Sequence, residues 1–171
     1  MPARLEPADD PLRLADSPPA ITPPRPRVDV VVIDQRSPAA DIVQAAIATG
    51  ARRLFDQEEG VRRGDDDPEP VHQARVATRR LRSDLRTFRS LLDLEWGEPL
   101  REELKWLGSE LGAVRDADVL LGRVKAATAQ LPPGDQAAGQ RLTDRVVERH
   151  AAARTALLTA MDGDRYDALL E

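Results

Sequence analysis

From Ser37 onward the apolar residues recur at helical spacing, and four stretches separate along the chain. In the first, Val43, Ala46, Ile47, Ala51 and Leu54 share one face. Ser37-Pro38 opens it as cap and first helical residue, and the pattern predicts an end near Phe55. Gly60-Val61-Arg62-Arg63-Gly64-Asp65-Asp66-Asp67 follows as a turn. The second stretch spans residues 71 to 90. There Ala74, Ala77, Leu81, Leu85 and Phe88, with Leu92 beyond, fall within about 80° of helix circumference. Asp67-Pro68-Glu69-Pro70 precedes it as N-cap, proline at the first helical position and first-turn acid. Trp96-Gly97-Glu98-Pro99 reads as a break. A third helix is predicted from about Pro99 to Thr128 over Leu104, Leu107, Leu111, Val114 and Leu121. Leu131-Pro132-Pro133-Gly134 ends it. Asp135 caps a fourth, running to about Met161 over Val146, Ala153 and Leu157, with Leu142 and Met161 at its edges. Gly163 stops that helix, leaving Tyr166 to Leu170 for a last turn. These elements predict an all-α fold, a four-helix up-down bundle with short loops.

Residues 1 to 36 break the pattern. They hold eight of the fourteen prolines and no helical period, so this segment is expected to be a disordered, linker-like tail to a helical unit over 37–171. Within it Val28-Asp29-Val30-Val31-Val32-Ile33 is rich in β-branched residues and reads as a short strand without an obvious partner. A length of 171 residues fits one domain, and the absence of cysteine excludes disulfide and thiol chemistry. No stretch approaches the roughly 18 apolar residues of a membrane span. The Pro- and Asp-containing start does not read as a signal peptide, so a cytoplasmic location without membrane association is expected.

Charge changes the picture most in residues 71 to 90. On the same helical projection Arg75, Arg79, Arg82, Arg86, Arg89 and His72 fall within about 100°, directly beside the apolar stripe, and only Arg80 lies apart. Six arginines against Asp84 give this stretch +5 in a chain of net charge −5, so the remaining residues carry −10. A run of charge is ordinarily a solvated helix face. Three features count against that here. The face lacks the interleaved Glu that gives i,i+4 pairs. Its cation is Arg throughout, whose planar fork suits phosphate and carboxylate. It also flanks the apolar stripe, at the rim of a helix-packing interface. From His72 to Arg86 the track is about 21 Å long at the helical rise, which suits an extended polyanion better than one phosphate. His72 begins it, close to the positive N-terminal end of the helix.

His72-Gln73-x-Arg75-Val76-x-Thr78-Arg79-Arg80-Leu81-Arg82 resembles the signature of the CHAD domain, the conserved histidine α-helical domain. The later run Leu104-Lys105-Trp106-Leu107-x-x-x-Leu111-Gly112-x-Val114-Arg115-Asp116-x-Asp118-Val119 resembles its second motif, in the expected order and spacing. The resemblance covers roughly residues 37 to 171. It implies an all-helical fold that binds inorganic polyphosphate through basic residues, with no catalytic activity or cofactor, and hence association with polyphosphate granules. A complete domain of this family has two halves, each with its own histidine–arginine helix, and the anion lies between them. This sequence carries one such helix, matching the N-terminal half. The second wall is then expected from another half-domain or from a homodimer bridged by the ligand. The Glu-x-Glu-x-Lys signature of the CYTH module, often attached to such domains, is absent.

The third helix has its own second stripe, of Lys105, Gly108, Gly112, Arg115, Val119, Gly122 and Arg123. Glycine costs about 1 kcal/mol in a helix interior, so three on one face point to close helix approach, with phosphate contact as a further use. The expected polyphosphate-binding residues are Arg75, Arg79, Arg82 and Arg86, with His72, Lys105 and Arg115 at the edges. Asp118 falls in the apolar stripe and needs a partner; Arg115 or an arginine of residues 71 to 90 is expected to supply it. Asp116 lies nearly opposite, so the two do not form a metal site. His150 falls on the apolar face of the fourth helix as a core histidine, and Arg141, Arg145 and Arg149 make a ladder beside it. The three aspartates 65 to 67 read as a solvated loop and cap, not a cation site. Two alternatives remain. One is a nucleic-acid binder on the same stripe, against which stands the lack of aromatics interleaved with the arginines. The other is a helical docking module for an acidic protein partner. No nucleophile–base pair, Gly-rich phosphate loop or metal-ligand spacing argues for an enzyme.

Overall fold

The computed structural model describes residues 32–34, 36–64 and 67–171. Among them the chain forms four long helices, α1 (Ala39–Arg63), α2 (Glu69–Thr87), α3 (Leu94–Thr128) and α4 (Gln136–Met161), and a short α5 (Asp164–Leu170). A single 3₁₀ turn, Arg89–Leu91, lies between α2 and α3. No β-strand occurs among the described residues. Most of the expected tail, and Val28 to Val31 of the expected strand, lie outside the described residues; Val32 and Ile33 are not strand.

The connections are short, so successive helices run antiparallel: α1 packs on α2, α2 on α3, and α3 on α4. The predicted faces turn inward. Val71, Ala74, Ala77, Leu81 and Leu85 of α2 meet Leu104, Leu107, Leu111 and Val114 of α3 in one core, with Leu54, Val61, Leu157, Met161 and Tyr166. Tyr166 is 2 % exposed, so the residues expected to form a last turn instead give a helix that closes the core.

Two boundaries differ from the sequence reading. The first helix does not stop near Phe55 but continues through Gly60 to Arg63. Gly60 marks a close approach: a Cβ there would lie 2.8 Å from both Cβ and Cγ of Pro70. Gly64, at φ 79°, ends the helix in the left-handed conformation, and Arg154 of α4 donates to the Val61 carbonyl at 2.6 Å. Arg62 crosses to the end of α4, donating to the Met161 carbonyl at 2.7 Å and pairing with Asp162. At the other boundary Trp96-Gly97-Glu98-Pro99 does not break the chain. The Asp93 carboxylate accepts from the Glu95 N–H at 2.9 Å and starts α3 five residues early. Pro99 then sits in the second turn, forfeiting one backbone bond.

The expected caps are partly used. Asp67 accepts from the Glu69 N–H at 2.9 Å and so caps α2; Asp65 and Asp66 lie outside the described residues. Ser37 does not cap α1. Its hydroxyl instead accepts from the Asp34 N–H at 2.9 Å. Asp135 stands at the start of α4 without a side-chain capping bond.

Candidate functional site

The sequence of α2 fixes two adjoining faces, and the packing assigns a neighbour to each. One flank carries Arg80, Ser83 and Asp84 into a groove shared with Ile42, Ala46, Gly50 and Arg53 of α1. The other borders α3. Thr78 is fully buried there. Its hydroxyl donates back to the Ala74 carbonyl at 2.8 Å, and its methyl lies 3.4 Å from where a Gly108 Cβ would stand. That local back-bond satisfies a polar side chain inside the interface. One turn earlier the Arg75 guanidinium lies along α3, its Nε 3.4 Å from the corresponding position at Gly112. Two of the three glycines on the second stripe of α3 thus admit side chains of α2. Gly122 meets nothing within 4 Å, so close approach does not account for it.

This packing brings the second stripe of α3 alongside the arginines of α2. Arg75, Arg79 and Arg86 are exposed, while His72, Arg82 and Arg115 are half-buried. Among the described residues none gives Arg75, Arg79, Arg82, Arg86 or Arg115 an ion-pair partner. The Arg82 Nε is buried and without a hydrogen-bond partner. Several arginines elsewhere are engaged instead, although Arg141, Arg145 and Arg149 on α4 also have no ion-pair partner among the described residues. Arg62 pairs with Glu58 and Asp162, Arg89 with Glu98 at 2.8 Å, Arg101 with Glu98 at 2.9 Å, and Arg165 with Glu103 at 2.6 Å. The Glu98 carboxyl is held below its ordinary range, first by its bond from Arg89. Arg89 therefore leaves the stripe on which the helical period put it, because α2 ends at Thr87.

Lys105 is exposed as expected, but it is engaged: its Nζ donates to Glu102 Oε2 at 2.9 Å. The Glu102 carboxyl is held below the usual carboxylate range, first by this bond and by the attraction of Lys105, then by that of Arg101 and Arg82. One acid thus stands beside Lys105, within electrostatic reach of Arg82. The periodicity of α3 offers a signal for it, since Glu102 precedes Lys105 by three residues and faces the same way.

Asp118 is not an orienter of arginines. Its Oδ1 lies 2.7 Å from His150 Nε2 of α4. The tertiary partner comes from the helix packed on the opposite flank of α3 from the arginine stripe, which helical phase alone does not identify. His150 lies on the inward face as expected, half-buried and paired with this carboxylate. The pair lines a cleft of about 270 Å³ with Asp67, Val71, Gly122, Lys125 and Arg154. Arg141, Arg145 and Arg149 are exposed on the outer side of α4.

The CHAD domain profile matches residues 45–171. Two curated relatives, the uncharacterized proteins MT2285 and Rv2226 of two strains of Mycobacterium tuberculosis, are each 32 % identical over 137 residues. The matched part is 78 % of this chain and 26 % of each relative, so the chain spans about a quarter of their length. Among solved structures, the CHAD domain from the plant Ricinus communis is similar at TM-score 0.65 and 30 % identity, over 87 % of this chain and 48 % of that one. PptA from Streptomyces chartreusis is similar at TM-score 0.65 and 27 % identity, over 78 % of this chain and 47 % of that one. The matched profile spans α2 and α3 and most of the chain, and a solved CHAD domain shares its helical fold, so the chain belongs to the CHAD domain family.

Proposed function

We propose that this chain binds inorganic polyphosphate through the arginine-lined face of α2, and that it does so without catalysis. The observation that carries the reading is the line of Arg75, Arg79, Arg82 and Arg86 on one helix face, none of them ion-paired among the described residues. Phosphate contacts here break no internal salt bridge. The guanidinium fork suits phosphate oxygens, and the stripe is long enough for several in succession. Arg75, Arg79, Arg82 and Arg86 contact the phosphates, with His72, Lys105 and Arg115 at the edges. Membership of the CHAD family supports the reading, since the resemblance implies polyphosphate binding through basic residues. Nucleic acid fits less well. Tyr166 is buried, Trp106 is covered by the Arg165 guanidinium 4.2 Å from its ring centre, and no aromatic interleaves with the arginines of α2. Base stacking therefore has no platform on this face.

The test is titration of the purified protein with long-chain polyphosphate, tripolyphosphate and single-stranded DNA at matched salt. Long-chain polyphosphate is expected to bind most tightly, with affinity falling steeply as salt rises, because each phosphate contact releases counterions. Equal affinity for tripolyphosphate and long chains, per molecule, would point to a compact pocket and against the track. Preference for DNA would favour the nucleic-acid alternative, and binding to neither polyanion the acidic-protein one.

A further inference from the structure

We propose that Glu102 is an internal counter-ion of the basic face: its carboxylate occupies Lys105, beside the arginine track, and so limits how tightly the face holds a polyanion. This inference rests on the polyphosphate reading and adds to it a residue that tunes affinity. Glu102 and Lys105 lie one turn apart on α3, their side chains 56 % and 57 % exposed, with 2.9 Å between Oε2 and Nζ. The same carboxylate feels the attraction of Arg82, which belongs to α2, so its charge acts on cations of both helices. Arg101, the other cation near it, is already committed to Glu98 at 2.9 Å. Arg82 has no such partner among the described residues, and its Nε is buried and unbonded.

A polyanion running along α2 therefore meets unlike surroundings along the track. At Arg75 and Arg79 it finds unopposed guanidinium groups. Near Arg82 and Lys105 it meets a like charge and a cation already occupied. Exposed ion pairs are weak, so a phosphate chain held elsewhere on the track displaces Glu102 at modest cost. The cost is nonetheless paid on every binding event, and Lys105 contributes only what remains after its own pair is broken.

The experiment measures affinity for long-chain inorganic polyphosphate in the wild type, Glu102→Gln, Lys105→Ala and the double variant, with Arg79→Ala as reference. Glutamine keeps the shape of an exposed side chain, so the fold is retained, and thermal melting checks this. Glu102→Gln is expected to bind about two- to fivefold more tightly at low salt, the scale of one exposed ion pair, with the gain shrinking as salt rises. Lys105→Ala should cost little in the wild type and more beside Glu102→Gln, since only there is the ammonium free. Glu102→Gln affinity equal to or weaker than wild type would overturn the proposal, leaving Glu102 as a residue that merely orders Lys105. Strictly additive substitutions would overturn it as well. If the wild type binds and Arg79→Ala weakens it, such results count against Glu102 alone. If the wild type binds no polyphosphate, the functional reading fails and this inference fails with it.

Discussion

Arg79 and Arg80 are neighbours in sequence and lie on different flanks of α2. Arg80 turns toward Arg53 and Asp84 in the groove with α1, whereas Arg79 stands exposed on the stripe with Arg75 and Arg86. One step of about 100° decides which of two identical side chains belongs to the proposed polyanion face. Arg79→Ala and Arg82→Ala are each expected to weaken polyphosphate binding by roughly 1.5 kcal/mol, the lower end for a charge-assisted contact because both groups keep some water. Arg80→Ala should have a much smaller effect. Calorimetric titration beside circular dichroism separates lost contact from lost helix, and equal losses in all three variants would reject the face assignment. Asp118 belongs to a different physics. Its side chain is 14 % exposed and holds His150 at 2.7 Å, so Asp118→Ala leaves a half-buried imidazole without its acceptor. The expected loss is about 1 kcal/mol, or a melting temperature lower by about 2–4 °C. Polyphosphate affinity should stay close to wild type. An unchanged melting temperature would mean that water replaces the carboxylate at no cost.

At the scale of the helix, glycines separate packing from propensity. Gly60 lies in α1 with the Pro70 ring 2.8 Å from the site of a Cβ, and that ring has no rotamer to escape into. Gly122 lies in α3 with nothing within 4 Å. Gly60→Ala is therefore expected to destabilise by about 1–3 kcal/mol through overpacking, and Gly122→Ala to stabilise by up to about 1 kcal/mol through helix propensity. Opposite shifts in denaturant midpoint would check both. The same contrast explains what the sequence made legible. The buried faces of α2 and of the middle of α3, from Leu104 to Ala117, follow from apolar spacing because the helices are packed there over several successive turns, which leaves an unbroken period. Asp67 was readable as a cap because its bond is local. The end of α1 and the start of α3 were not, since Gly60 answers to Pro70 on another helix and Asp93 outweighs the Gly97 and Pro99 that follow it. The Asp118–His150 pair spans 32 residues and depends on how α4 crosses α3, which no local signal encodes. Within the candidate site, the arginines of α2 were legible as a stripe. The pairing of Lys105 had a local signal in the i,i+3 spacing of Glu102.

The whole molecule is acidic, at −5, yet gathers +5 on the stretch 71 to 90. Of its arginines, Arg75, Arg79, Arg82 and Arg86 stand on one side of α2, so in the free protein their repulsion is screened by water and salt. The chain spans just under half of each of the two solved chains it resembles, and among its described residues α2 carries the proposed basic wall. A polyphosphate held on one wall keeps its other side charged and exposed. A second copy supplying the facing wall would neutralise that side, and the chain that tethers both copies raises their effective concentration. The protein is therefore expected to be monomeric without ligand and to form a larger species with long-chain polyphosphate. Tripolyphosphate, too short to reach along the track of about 21 Å, should leave it monomeric. Excess long-chain polyphosphate should dissolve the assembly again, because each copy then finds its own chain. Light scattering coupled to gel filtration reads all of these states. The apolar surface offers the competing outcome. Leu91, Trp96, Leu142 and Val147 are each more than 40 % exposed, and a dimer that persists without any anion would assign association to such residues and remove the ligand from its role as the bridge.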